Sequence, residues 1–180
     1  MKKLVLTTIL LSMSYPILAH ESATPSLENK PIKVSQKLMD LKPMGTLIHN
    51  DKRVSKFSEL LHDAKMQYIL NQPGAMTVFA PTNKAMAELD ADFSDKVWKD
   101  PQTRKAFIMS HIFAGKMTSD YLPKVDSLRS LSERKVLISN KEEGLAGMLI
   151  NGASIVTTDI NASNGVIHLV SSSFVMEQEQ

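Results

Sequence analysis

The sequence predicts an α+β domain, and three observations predict it. Between Ser55 and Ile112 apolar residues return at three- and four-residue intervals behind helix-start signals, the period of one helical face. Beyond Pro123 the pattern changes to short β-type runs at 125–131, 136–139, 145–150, 154–159 and 166–171. They are separated by Glu142-Glu143-Gly144, Asn151-Gly152 and Asn164-Gly165, and an Asn-Gly pair accepts the positive backbone angles of a tight hairpin turn. Third, the 180 residues are 43% hydrophobic and 22% charged, a globular balance that excludes disordered and collagen-like chains and suits one domain. Helices early and strands late place the helices around a folded sheet.

Taken in order, residues 1–19 read as an export leader (signal peptide). Met1-Lys2-Lys3 gives a positive start, residues 4–13 are apolar except for Thr7, Thr8 and Ser12, and Ile17-Leu18-Ala19 suits cleavage. The apolar stretch is shorter than the roughly 20 residues of a membrane span. Residues 20–43, with Pro25, Pro31 and Pro43, read as an arm or linker with one short helix around 34–41. The folded domain is expected over 44–176, with 177–180 as a tail.

Within it, Ser55 opens a helix to about Lys65, with Glu59 one register from the ideal capping box. Phe57, Leu60, Leu61, Ala64 and Tyr68 form its apolar stripe. Gln72-Pro73-Gly74-Ala75 is a turn, and Met76 to Ala80 a strand stopped by Pro81. Thr82 or Asn83 caps a helix through Glu88. Asp90, Asp92 and Asp95 lack the Gly and Glu of a calcium loop and read as a solvated helix start. Asp100-Pro101 starts another helix, with Phe107, Ile108, His111 and Ile112 on its buried stripe.

Three segments then resemble the fasciclin domain family. Thr77-Val78-Phe79-Ala80-Pro81-Thr82-Asn83-Lys84-Ala85 is similar to its first signature. Ile150-Asn151-Gly152-Ala153 and Asp159-Ile160-Asn161-Ala162-Ser163-Asn164-Gly165-Val166-Ile167-His168-Leu169-Val170 are similar to its second. Ser110-His111, followed by Gly115-Lys116, falls where the family has a Tyr-His pair and a Gly-Lys turn. The resemblance implies a fasciclin-like fold, a compact β-sandwich or wedge-shaped sheet with packed helices, in a single-domain exported bacterial-type member. The chain departs from the family at Ser110 (usually Tyr), Met86 (usually Phe) and Lys65, where a Gly commonly ends the early helix; a lysine held left-handed there carries a steric cost.

The chemistry-bearing residues leave several alternatives. Cys is absent, which excludes disulfides, thiolate nucleophiles and zinc-thiolate sites. Removing Lys2 and Lys3 with the leader leaves 19 basic against 19 acidic residues, so nucleic acid and anionic membranes have no electrostatic claim on the chain. Lys52, Arg53 and Lys56, balanced by Asp51 and Glu59, read as a solvated face. No nucleophile-elbow, Walker or dinucleotide motif occurs. His111 and His168 each read as a hydrogen-bonded core histidine or a catalytic one. His20, at the new N-terminus after cleavage, reads as an ordinary terminus or as a copper ligand with nearby methionines. Asp159-Ile160 lies where animal matrix members of the family carry integrin-dependent adhesion. It is either a partner-binding pair, the carboxylate completing a partner's metal coordination, or a turn cap with a packed aliphatic. Phe79, Pro81, Thr82, Asn83, Asn151, Gly152, Asn164 and Gly165 are structural motif residues. The resemblance implies an exported, non-enzymatic adhesion or interaction module without cofactor, periplasmic or secreted, whose partner is a surface protein, glycan or matrix polymer. The alternative is a periplasmic carrier of a small molecule, haem or copper.

Overall fold

Alternation along two strands decides where the core sits. In β1 (Met76–Pro81) Val78 and Ala80 point to one face and Thr77 and Phe79 to the other. In β7 (Gly165–Val170) Ile167 and Leu169 share one face, His168 and Val170 the other. The two strands run parallel with Val78 beside Ile167 and Phe79 beside His168, so like faces coincide. Val78, Ala80, Ile167 and Leu169 pack under the helices. Phe79 and Val170 join Phe113, Leu128, Val136, Ile138 and Ile150 in a second core on the opposite face.

The structure, a computed structural model, describes residues 40–139 and 147–174. The export leader, most of the arm with its short helix, Glu142-Glu143-Gly144 and the tail lie outside the described residues. Among those described the sheet has seven strands in the order β2-β1-β7-β6-β5-β4-β3. The others are β2 (Ile112–Ala114), β3 (Ser127–Arg129), β4 (Lys135–Ser139), β5 (Leu149–Ile150) and β6 (Ala153–Ala162). A bridge between Phe113 and Ser130, with Leu131 N–H donating to Ile112 C=O at 2.8 Å, joins the β2 end to the chain just beyond β3. The sheet therefore folds back on itself around the second core, the wedge expected above.

The helices are α1 (Met44–Asn50), α2 (Ser55–Asp63), α3 (Asn83–Ala87), α4 (Ala91–Lys99) and α5 (Pro101–Ser110). Asp90 caps α4 through the N–H groups of Asp92 and Phe93, and Asp100 caps α5 through those of Gln102 and Thr103. Both expected capping residues after β1 are used, on different helices. Thr82 Oγ1 accepts from Ala85 N–H and caps α3. Asn83 Oδ1 accepts from Lys56 N–H at 3.0 Å, while its Nδ2 donates to Lys52 C=O at 2.8 Å. Ser55, expected to cap α2, instead lies inside it and exchanges hydrogen bonds with the Asn83 amide.

Two expected stripes shorten. The α2 stripe stops before Tyr68, which is 62% exposed, because the helix ends at Asp63. α5 ends at Ser110, leaving His111 as its C-terminal cap and Ile112 as the first residue of β2. After α2 the chain turns at Lys65, whose φ is 54°. Lys65 N–H donates to His62 C=O and Met66 N–H to Leu61 C=O, both at 2.9 Å, the bonding of a helix stop that favours glycine. Lys65→Gly is expected to stabilise the domain by about 0.5–1 kcal/mol, the left-handed penalty less glycine's extra freedom when unfolded. A urea midpoint that falls on this substitution would refute the strain. No helix among the described residues is long and apolar enough to cross a membrane.

Candidate interaction site and the signature network

His168 stacks on the Phe79 ring, and His111 is linked to that ring through Phe174. His111 is fully buried. One imidazole nitrogen, Nδ1, lies 2.8 Å from Phe107 C=O, and the other, Nε2, lies 3.0 Å from Phe174 N–H. A carbonyl only accepts and an amide N–H only donates, so the proton sits on Nδ1 and the ring is neutral. Phe174 stacks on it at 4.7 Å with a 2° interplanar angle, and Phe107 and Phe57 close the remaining sides. This burial lowers its pKa from 6.5 to about 4, opposed by the Phe107 bond. Ser110, where the resemblance expects Tyr, donates its hydroxyl to Phe107 C=O at 2.7 Å.

His168 uses the other tautomer. Its Nε2–H donates to Met117 C=O at 2.8 Å, and Nδ1 accepts from Asp159 N–H at 3.3 Å. The ring stacks on Phe79 at 5.2 Å. Burial lowers its pKa, opposed by the Met117 bond and the Asp159 charge. Two residues missed in the sequence complete this network. Thr77 Oγ1 donates to Gly115 C=O and accepts from Met117 N–H, both at 2.8 Å, fixing the loop after β2. Further along that loop, Ser119 gives its N–H to Asp159 Oδ1 at 3.0 Å and its hydroxyl to Oδ2. Ser119 lies forty positions from its partner, so no linear spacing announces it.

Asp159 therefore reaches across to the loop after β2, and the turn before Asn164-Gly165 is stitched by Asn164 itself. The Asp159 backbone has φ 55° at the second of two register shifts in β6. Ile160 is half-buried against the helical core. Ser119, His168 and Asp159 meet, yet their order is not that of a nucleophile and its base. The serine hydroxyl points at the carboxylate, and both imidazole nitrogens are bonded to backbone. His20 lies outside the described residues.

The remaining motif residues set turns. Pro81 closes β1 opposite Val170. Asn151 and Gly152, with φ 51° and 80°, form the exposed β5–β6 turn. Asn164 accepts from Met44 N–H at 3.0 Å and donates to Leu70 and Gln72 C=O at 2.8 and 2.9 Å, tying three segments together, while Gly165 is buried.

On the outer surface, β4 and β5 pair through Ser139 and Leu149, and β5 and β6 through Leu149 and Ser154. By alternation Leu137 and Leu149 share the outward face of β4 and β5, and Val156 stands at the first register shift of β6, between Ile155 and Thr157. Leu137 is 56% and Val156 58% exposed. Arg53 pairs with Asp51 at 2.7 Å and Lys56 with Glu59 at 3.5 Å, so the basic cluster is a balanced, solvated face.

A profile of the Fasciclin domain matches residues 52–176. An uncharacterized protein of Synechocystis is 30% identical over 71% of this chain and 92% of its own length. Human periostin is 29% identical over 72% of this chain, which spans 16% of that protein. A Plasmodium falciparum protein named heme ligase is 22% identical over 79% of this chain and 77% of its own. Among solved structures, a FAS1 domain pair from the insect cell adhesion molecule Fasciclin I aligns with TM-score 0.63 at 17% identity, covering 76% of this chain and 51% of that one. That likeness establishes the shared fold.

Proposed function

Because the chain belongs to the fasciclin domain family, we propose that it is an exported, non-enzymatic adhesion or interaction module. It holds a cell-surface or extracellular-matrix protein or glycan by surface contact. The observation that carries this reading is the outward β4–β6 face, where Leu137 and Val156 stand more than half exposed. Large aliphatic side chains left exposed on the strands of one sheet are what an interface core uses. Asp159 and Ile160 adjoin that face three and four residues beyond Val156. The carboxylate keeps lone pairs beyond those turned toward Ser119, so it can accept a partner's donor at the rim. The two signature histidines support the same reading, since each has both ring nitrogens engaged with backbone inside the fold.

The test immobilises residues 20–180 and presents them with proteins and glycans from the envelope and surrounding matrix of the source cells. Capture of a defined component is expected. It should weaken at least about tenfold in Leu137→Asp and Val156→Asp variants, with an unchanged unfolding midpoint, if these side chains are the contact core. Capture indifferent to both substitutions would move the interface elsewhere. Stoichiometric haem or copper binding, or turnover of a substrate, would overturn the module reading itself.

A further inference from the structure

The chain holds two Asn-Gly pairs in opposite environments. Such pairs are prone to an internal reaction because glycine leaves its N–H accessible to the preceding side chain. At Asn151-Gly152 both residues are exposed, and the Asn151 side chain has no hydrogen-bond partner among the described residues. Its own N–H is held by Leu137 C=O at 2.7 Å, but no such bond ties its side-chain amide, which is adjacent in the chain to the Gly152 nitrogen. The strand leading into this turn, β5, is only two residues long, so the turn is anchored by a short stretch of pairing with β4 and β6. At Asn164-Gly165 the side chain is bonded at both ends, to Met44, Leu70 and Gln72, and the Gly165 backbone is packed against Met76.

We propose that Asn151 is a site of spontaneous deamidation and that Asn164, in the same chain, is protected by its bonds. The Gly152 nitrogen attacks Asn151 Cγ. The new N–C bond forms as the Cγ–Nδ2 bond breaks, and the amide proton leaves with the departing ammonia. Water then opens the resulting cyclic imide at either carbonyl, giving an aspartyl or an isoaspartyl linkage. Either product sets a carboxylate beside exposed Leu137. The isoaspartyl form also adds a backbone carbon to a two-residue turn, which loosens the pairing of Ile150 with Ala153.

Incubating the native chain at mildly alkaline pH and mapping its peptides by mass spectrometry tests this. Exchange of amide for acid at Asn151 is expected to run at least about tenfold faster than at Asn164, since the latter must first surrender several hydrogen bonds. Repeating the incubation in concentrated urea should bring the two rates together, showing that Asn164 is reactive once released. Equal rates in the native chain would overturn the protection. An Asn151 that stays intact when native and reacts only in urea would overturn the site.

Discussion

Acidification from pH 6.5 to about 4 is expected to remove about 3 kcal/mol of folding stability through His111 alone. The unfolded chain binds a proton on this residue near its ordinary 6.5, whereas the folded domain refuses it until about 4. Between those values the unfolded state carries the extra proton, so stability rises with pH. The contribution is complete above 6.5, falls through the window, and shows no further loss below about 4. The physical cause is plain in the geometry. A second proton would go to Nε2, which already accepts from Phe174 N–H in a shell of Phe57, Phe107 and Phe174. His168 is lowered by burial as well and adds to the loss in the same direction. His111→Ala separates the two. It should cost roughly 3–5 kcal/mol at neutral pH, combining a cavity with an orphaned amide. Its remaining acid slope should come from His168 and, toward pH 4, from the lowered carboxyls of Asp51 and Asp100. Chemical denaturation at several pH values reads both quantities. A wild-type slope no steeper than the variant's would place the His111 proton somewhere other than this cage.

The sequence was most legible where one residue type leaves one option. The Asn151-Gly152 turn, the Pro101 helix start and the strand before Pro81 are settled within a few residues of chain, and the structure agrees at each. The second hairpin turns one residue earlier than expected, at Ser163-Asn164, with Gly165 opening β7. It was least legible where a side chain works across the fold. Thr82 and Asn83 are both competent caps, and nothing local says that Asn83 serves α2 while Thr82 serves α3. The helical stripe through Tyr68 failed for a related reason, since a left-handed Lys65 ends the helix and periodicity cannot see a backbone angle. Likewise, the parallel pairing of β1 with β7 joins segments almost ninety residues apart. Nothing in linear order or spacing placed the two signatures side by side.

That pairing explains why the signatures are built as they are. Phe79 stacks on His168 and also touches Phe174, the partner of His111. One histidine fastens the segment after β7, and the other fastens the loop after β2 to the bulge of β6. Each imidazole presents a donor and an acceptor to two backbone groups from separate segments of the chain. A methyl in its place would leave both backbone groups without a partner. The chemistry of the motif is thus the chemistry of bonding distant backbone, and the same rigidity sets the Asp159 backbone at the edge of the proposed contact face.

Gly165→Ala should be the most damaging single-methyl change in the β1–β7 pairing, at roughly 3–5 kcal/mol. A Cβ at this position would lie 2.0 Å from Met76 C=O oxygen, 2.8 Å from its carbonyl carbon and 2.7 Å from Met44 Cε. The methionine tip can swing away; the Met76 carbonyl cannot. Met76 is the register partner of Gly165, and its N–H donates to Asn164 C=O at 3.1 Å. Relief therefore requires the start of β1 to move off β7, or the hairpin tip to lift and strain the Asn164 bonds. Overpacking of this kind costs about 1–3 kcal/mol, and a non-glycine residue at φ 151° adds about 1–3 kcal/mol of backbone strain. Gly74→Ala is the matched control, because Gly74 also has positive φ, 122°, yet nothing lies within 4 Å of its absent Cβ. It should pay the conformational part only, about 1–2 kcal/mol, so the difference between the two variants measures the steric contact between the signatures. Urea midpoints at constant m supply both numbers. A Gly165→Ala domain no weaker than Gly74→Ala would mean that β1 and β7 have room to part, and that their close pairing is not what fixes the hairpin in place.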